Sequence, residues 1–254
     1  MSWAKKVGQW RVELAQVNWY LCFGLLFLGA VLVGLSLGGW KLHQVLNDAQ
    51  TLPIEAVAIK GDRTYTSDKA IQTALQSLMQ RSFFSADIAE VQHALEDLPW
   101  VYRASVRREW PAKLKVYLQE QHPVAHWNGD AWLNEHGEVF VAPPQDSLQA
   151  LPQLSGPEDM ALEVLTSYQQ VSALLKINGF DLSHLSLSPR HAWHAQLENG
   201  IFLDLGREDK MARIQRFINV YPVLAKQTKK VARIDLRYDT GLAVGWDEAQ
   251  QESR

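Results

Sequence analysis

From Tyr20 to Trp40 the chain carries no charged side chain, reading Leu21, Cys22, Phe23, Gly24, Leu25, Leu26, Phe27 and onward to Leu37. At about 1.5 Å of rise per residue, roughly 20 such residues match a hydrocarbon layer about 30 Å thick. This stretch therefore predicts one membrane-spanning helix. Trp19 and Tyr20 bracket it at one end and Trp40 at the other, where amphipathic rings favour the headgroup region. Lys5, Lys6 and Arg11 precede it, opposed by Glu13, and the positive-inside rule then keeps the N-terminus in the cytoplasm and everything after Lys41 outside. A cleaved signal peptide is the alternative. Its apolar region is usually shorter and closer to the N-terminus, but Gly38 and Gly39 leave it open.

The rest must fold outside the cytoplasm, and composition bounds how. With 254 residues, 47% hydrophobic and 21% charged, the chain has room for the anchor plus one or two modest globular domains. The one cysteine, Cys22, lies inside the apolar stretch, so no disulfide can form within the chain and the exported domains must be held by their cores. A formal net charge of -3 is too close to neutral for a chain that lives on the phosphates of nucleic acid.

Past Lys41 to Leu52, a polar continuation of the helix or a linker ended by Pro53, the pattern changes. Ile54 to Lys60 reads as a strand closed by Gly61-Asp62. Ser67 is a good N-cap for a helix whose stripe is Ile71, Ala74, Leu75 and Leu78. Asp87 and Glu90 have capping-box spacing ahead of Val91, Leu95 and Leu98, and Pro99 ends that helix. Tyr102, Ala104 and Val106 alternate with Arg103, Ser105 and Arg107, Trp110-Pro111 turns the chain, and Leu114, Val116 and Leu118 form a further alternating strand. Strand, helix, helix, strand, strand predicts two helices on a three-stranded sheet.

The remainder is richer in strands. Val124 to Trp127, Ala131 to Leu133 and Val139 to Val141 are separated by the turn signals Asn128-Gly129 and His136-Gly137. A helix with Ala161, Val164, Leu165, Tyr168, Val171 and Leu175 on one face closes at Asn178-Gly179. Trp193, Ala195 and Leu197, then Asn199-Gly200, then Ile201, Leu203 and Leu205 predict a hairpin turning on Asn-Gly. A helix striped by Met211, Ile214, Ile218 and Tyr221 ends near Pro222. The last strand is expected to set Ala232, Ile234, Leu236 and Tyr238 on one face and Arg233, Asp235, Arg237 and Asp239 on the other, with Thr240-Gly241 bending it before Leu242 to Trp246. The chain thus divides into a tail (1–19), a span (20–40), a linker (41–52), a βααββ domain (53–121), a β domain (122–246) and a polar end (247–254).

Residues fit for catalysis do not converge. Pro123 between His122 and His126 argues against a zinc pair on a shared helical face. His191 and His194 have opposite strand parity and read as surface residues. Neither a Gly-rich phosphate loop followed by Lys and Ser or Thr nor Gly-x-Ser-x-Gly occurs, and the acidic residues are scattered on polar faces. No enzyme, cofactor, metal or small-molecule substrate is expected.

Val57-Ala58-Ile59-Lys60-Gly61, Leu98-Pro99-Trp100-Val101 and Val106-Arg107-Arg108-Glu109-Trp110-Pro111 with Leu114 resemble the POTRA domain of the FtsQ/DivIB family of bacterial cell-division proteins. The likeness continues through Trp132-Leu133, Gly137, Leu205-Gly206-Arg207, Met211, Arg213, Tyr221-Pro222-Val223-Leu224 and Asp235-Leu236-Arg237-Tyr238-Asp239, and closes on Ala243-Val244-Gly245-Trp246. The Trp-Pro segment is shared by many POTRA modules. The combination with the C-terminal segment and the single span is more specific. The resemblance implies a divisome scaffold of the inner membrane that binds FtsB and FtsL, chiefly FtsB through the last strand, with the POTRA domain contacting FtsK.

As the last strand of its sheet, the C-terminal segment would leave one row of backbone groups open, and Leu242 to Trp246 has neither charge nor Pro to guard it. A partner strand could add there, with alternating side chains giving specificity. The expected partner-binding residues are Arg237, Tyr238, Thr240, Gly241, Leu242, Val244 and Trp246, flanked by Arg190. Tyr238 and Trp246 could instead be core residues, Thr240 and Gly241 serve the backbone course, and Arg107 and Arg108 read as a recruitment surface or a solvated face. Competing functions are a POTRA-bearing anchor for secretion or outer-membrane assembly, and a wall-active enzyme.

Overall fold

The computed structural model describes residues 19–48, 51, 53–61, 63–76 and 78–247. The charges that set the expected orientation and the polar end after Asp247 lie outside them.

Helix α1 (Trp19–Asn47) is continuous through the uncharged stretch and on past Lys41 for two more turns, with no buried residue along its length. Along the uncharged stretch apolar side chains face all round, none buried among the described residues, as on a lipid-facing helix.

The remaining described residues form an α+β arrangement in two compact units: one takes in residues up to Leu98 with Arg103–Gln119, the other Pro99–Tyr102 with the chain from Glu120 on. In the first, strand β1 (Ala56–Lys60), helices α2 (Asp68–Leu75) and α3 (Ile88–Glu96), and strands β2 (Val101–Glu109) and β3 (Lys113–Glu120) follow in the expected order. The sheet order is β1-β3-β2, with β1 parallel to β3. Ile71, Leu75, Val91 and Leu95 from the helices bury against Ala104, Val106, Leu114, Val116 and Leu118 from the sheet. Ser67 caps α2 by accepting from the Ala70 N–H at 3.2 Å, and Asp87 caps α3 through the Ala89 N–H at 2.9 Å. The expected capping box is only half used, because Glu90 is drawn away by the Arg81 guanidinium at 2.6 and 3.1 Å.

In the second unit nine strands make one mixed sheet in the order β12-β11-β10-β9-β8-β7-β4-β5-β6. Strands β4 (Pro123–Trp127), β5 (Ala131–Asn134) and the two-residue β6 (Val139–Phe140) form a meander. Strand β7 (Gln153–Ser155), helix α4 (Ala161–Ile177) and strand β8 (Leu182–Leu187) then make a parallel crossover. The hairpin of β9 (Trp193–Leu197) and β10 (Phe202–Gly206) follows, then helix α5 (Lys210–Leu224), strand β11 (Val231–Asp235) and strand β12 (Ala243–Trp246). Helices α4 and α5 cover one face, where Val164, Val171, Leu175, Ile214 and Phe217 meet Leu154, Leu185, Ala195, Leu203, Leu205 and Ile234, all at most 1% exposed.

Three local expectations need correction. The β9–β10 connection is a three-residue loop: the Gly200 N–H donates to the Leu197 carbonyl, the Leu197 N–H to the Ile201 carbonyl, and Gly200 alone takes a left-handed φ of 90°. A type I turn followed by a left-handed glycine makes this geometry, whereas a two-residue Asn-Gly turn needs positive φ at both positions. Pro222 sits inside α5, which runs on to Leu224. Finally, the long last strand is two antiparallel strands, β11 and β12, and β11 carries a bulge between Val231 and Arg233. One extra residue shifts the side-chain alternation, so Val231 is buried in place of Ala232, while Ile234 and Leu236 point inward as expected.

Candidate functional site

Strand β12 is the outermost strand of the nine-stranded sheet. Along its inner side Ala243 pairs with Asp235, Val244 with Ile234 and Trp246 with Val231, and the Asp247 N–H donates to the Lys230 carbonyl at 2.9 Å. Main-chain groups alternate sides along a strand, so the direction of Asp247 fixes the rest. Gly245 and Ala243 face β11, and the N–H and C=O of Val244 and Trp246 face outward, where no strand of the described residues lies. Leu242, Val244 and Trp246 turn their half-buried side chains toward the core. The opposite edge of the sheet is guarded differently: β6 has only two residues, and Pro143-Pro144 follow after Val141 and Ala142. Neither edge strand carries Pro or charge within it, and β12, with four residues, is the longer of the two.

The connection leading into β12 is held from α5. Arg216 donates through Nη1 to the carbonyl of Tyr238 at 2.5 Å and to that of Gly241 at 3.2 Å, pinning both ends of the bend. Tyr238 is 56% exposed, so it is no core residue; Trp246 is half-buried, with part of its ring available. Thr240 is exposed and Gly241 half-buried within the bend.

Arg237 lies just before the bend. Its Nε donates to both Asp235 oxygens at 2.9 and 3.1 Å, its Nη2 to Oδ2 at 2.6 Å, and its backbone N–H to Oδ1 at 3.0 Å. These bonds hold the Asp235 carboxyl below its ordinary range and raise the guanidinium further. Arg190 lies on a different loop, yet it and Arg237 line the same open cleft of ≈ 550 Å³, together with Arg207, Arg213, His194 and Glu208. The structure therefore brings the two sequence-predicted arginines together, in a cleft lined by four arginines and Glu208, with Arg237 held by Asp235.

Beneath the edge lies a polar group that periodicity passed over. Asp204 on β10 is 3% exposed and accepts from His194 Nδ1 on β9 at 2.8 Å and from Arg233 Nε on β11 at 2.5 Å. It ties three consecutive strands together next to β12, and it raises the Arg233 guanidinium. His194 is thus half-exposed but anchored, rather than a plain surface residue. The arginine clamp of Arg216 was also not anticipated. No local pattern marks either, since each partner lies 10 to 29 residues away.

Comparison with known proteins follows the same division. The family described as "Cell division protein FtsQ/DivIB, C-terminal" matches residues 125–237, and "POTRA domain, FtsQ-type" matches residues 52–121. The first match stops short of β12, so the edge geometry is independent of it. The chain is 72% identical to Cell division protein FtsQ of Shewanella oneidensis over 98% of its own length and 95% of that protein's. It is 39% identical to Cell division protein FtsQ of Escherichia coli, covering 88% and 83%, and 36% identical to that of Vibrio cholerae, covering 96% and 94%. The chain, with one membrane-spanning helix, a POTRA domain and a mixed β domain, belongs to the FtsQ/DivIB family of bacterial cell division proteins.

Proposed function

We propose that this protein is a non-enzymatic scaffold of the divisome, anchored in the inner membrane with its N-terminus in the cytoplasm and residues 53–246 in the periplasm. It concentrates at the division septum and links early and late division proteins. It captures FtsB, and FtsL with it, by adding a partner strand to β12, and so helps control septal wall synthesis; its POTRA domain contacts FtsK.

The observation that carries the reading is the unguarded outer side of β12. The ladder groups of Val244 and Trp246 point away from the sheet, and an added strand would satisfy them. Around that ladder, Tyr238 and Trp246 offer aromatic surface of the kind that anchors interfaces. The cleft of Arg190 and Arg237 offers guanidinium groups to acidic side chains flanking the partner strand.

Val244→Pro tests this. The substitution removes an N–H that makes no bond within the sheet, so β11–β12 pairing survives, while the partner ladder loses a donor and meets the ring. Capture of the periplasmic part of FtsB should weaken on the order of tenfold or more. Val244→Thr, which keeps the N–H, should bind as the parent does. Full binding by a Val244→Pro protein that melts cooperatively would rule out strand addition at β12.

A further inference from the structure

The POTRA sheet has α2 and α3 on one face, and no helix of the described residues covers the other. Register places Lys60 beside Tyr117, and Ala58 and Ala56 beside Lys115 and Lys113, on the open side. The same side of β2 carries Arg103, Ser105, Arg107 and Glu109. Among these alternating positions, running to Gln119, five are Lys or Arg and Glu109 is the one acid. Glu109 reaches Lys115 at 3.4 Å, a loose exposed contact, and Arg103 also feels Glu96 at the sheet margin. Leaving Arg103 aside, Lys60, Arg107, Lys113 and Lys115 still outnumber Glu109 at these positions of the open face. Tyr117 sits in the middle, 41% exposed, with Arg107 5.8 Å and Lys115 5.9 Å from its ring. Trp110, at the tip of the β2–β3 hairpin, is 78% exposed. Arg108, one residue out of phase, belongs elsewhere: it turns to the helix side and donates to the carbonyls of Phe83, Phe84 and Ala86.

We propose that this open face docks on the anionic phospholipid headgroups of the membrane that α1 spans. Two observations select a lipid surface as its occupant. The charge is complementary, with basic side chains framing exposed Trp and Tyr, the residue types that settle at a membrane interface. The tether is also short: residues 48–55, eight in all, separate the end of α1 from β1 and reach at most about 29 Å when fully extended. The face is held at high local concentration beside the headgroups, so weak attractions suffice. Each Lys or Arg near an anionic leaflet biases such an equilibrium by about fivefold. The proposal requires only that α1 is embedded, and stands whatever β12 binds.

The test uses the full chain with Cys22→Ser, reconstituted in vesicles and labelled at Ser105→Cys with an environment-sensitive fluorophore. Quenching by a headgroup-spin-labelled lipid should be at least about threefold stronger in phosphatidylethanolamine–phosphatidylglycerol vesicles than in phosphatidylcholine vesicles. It should fall away near 1 M salt, where the Debye length shrinks to about 3 Å. Lys113→Glu with Lys115→Glu should reduce quenching to the phosphatidylcholine level without altering the thermal melt. A label at Gln72→Cys, exposed on α2, should stay unquenched. Equal quenching in both lipids, equal quenching at both label sites, or none at Ser105 until a protein partner is added would each overturn the proposal.

Discussion

Asp235 and Asp204 lie on neighbouring strands, and both carboxylates face guanidinium groups, but they do different work. Asp204 is buried and fixes β9, β10 and β11 to one another. Asp235 is near the surface and sets the direction of Arg237, which directly precedes the exposed Tyr238. Because Arg237 lowers the folded-state value of Asp235, the unfolded chain takes up this proton first as the medium is acidified. The stabilisation is complete above the unfolded value, near 3.8, and is lost as pH falls through the lower folded one. Denaturation of the parent should therefore show a midpoint that drops as the pH falls through and below the unfolded value near 3.8. Asp235→Asn should flatten that part of the profile, and an unchanged slope would show that the pair contributes nothing. At this scale the sequence was informative about type and silent about partners. Tyr238, Arg237 and Arg190 could be picked out as residues suited to an interface. That Asp204 was not on a polar face, or that Arg216 reaches two carbonyls beyond the next strand, depends on neighbours brought in by the fold.

The β9–β10 hairpin, the α4 stripe and the βααββ order were legible because each is written in local periodicity, and burial agrees with it: Trp193, Ala195, Leu197, Leu203 and Leu205 all point inward. The bend at Thr240-Gly241 was legible too, but the parity at the start of β11 was not, because a bulge between Val231 and Arg233 inserts one residue and reverses the alternation on which such readings rest. The bend at Tyr238 to Gly241 has little regular structure of its own, and α5 supplies what it lacks through Arg216. Arg216→Ala should cost about 1–2 kcal/mol of stability, read by urea denaturation, and should weaken partner capture more than the stability loss explains. Lys keeps the charge on a shorter side chain that does not place its nitrogen where Nη1 lies, so Arg216→Lys should recover binding only in part. Full binding by Arg216→Ala would mean that β12 holds its course without the clamp.

The described residues after α1 are built into cores and sheet edges, and the proposed scaffold acts by what these leave uncovered. The β domain ends on one side in a two-residue strand with two prolines close behind it and on the other in the longer β12, and the proposed docking uses the β12 edge. Amide hydrogen exchange on the full-length protein reads that edge directly. In the protein alone the amides of Val244 and Trp246 should exchange fast, while Gly245, whose N–H faces β11, and the Leu203 and Ile234 amides deeper in the sheet are protected. Saturation with the periplasmic segment of FtsB should slow Val244 and Trp246 by at least about tenfold and leave Ile234 unchanged. Amides of Val244 and Trp246 that are already protected in the isolated protein, or that exchange equally fast with the partner bound, would contradict strand addition at β12.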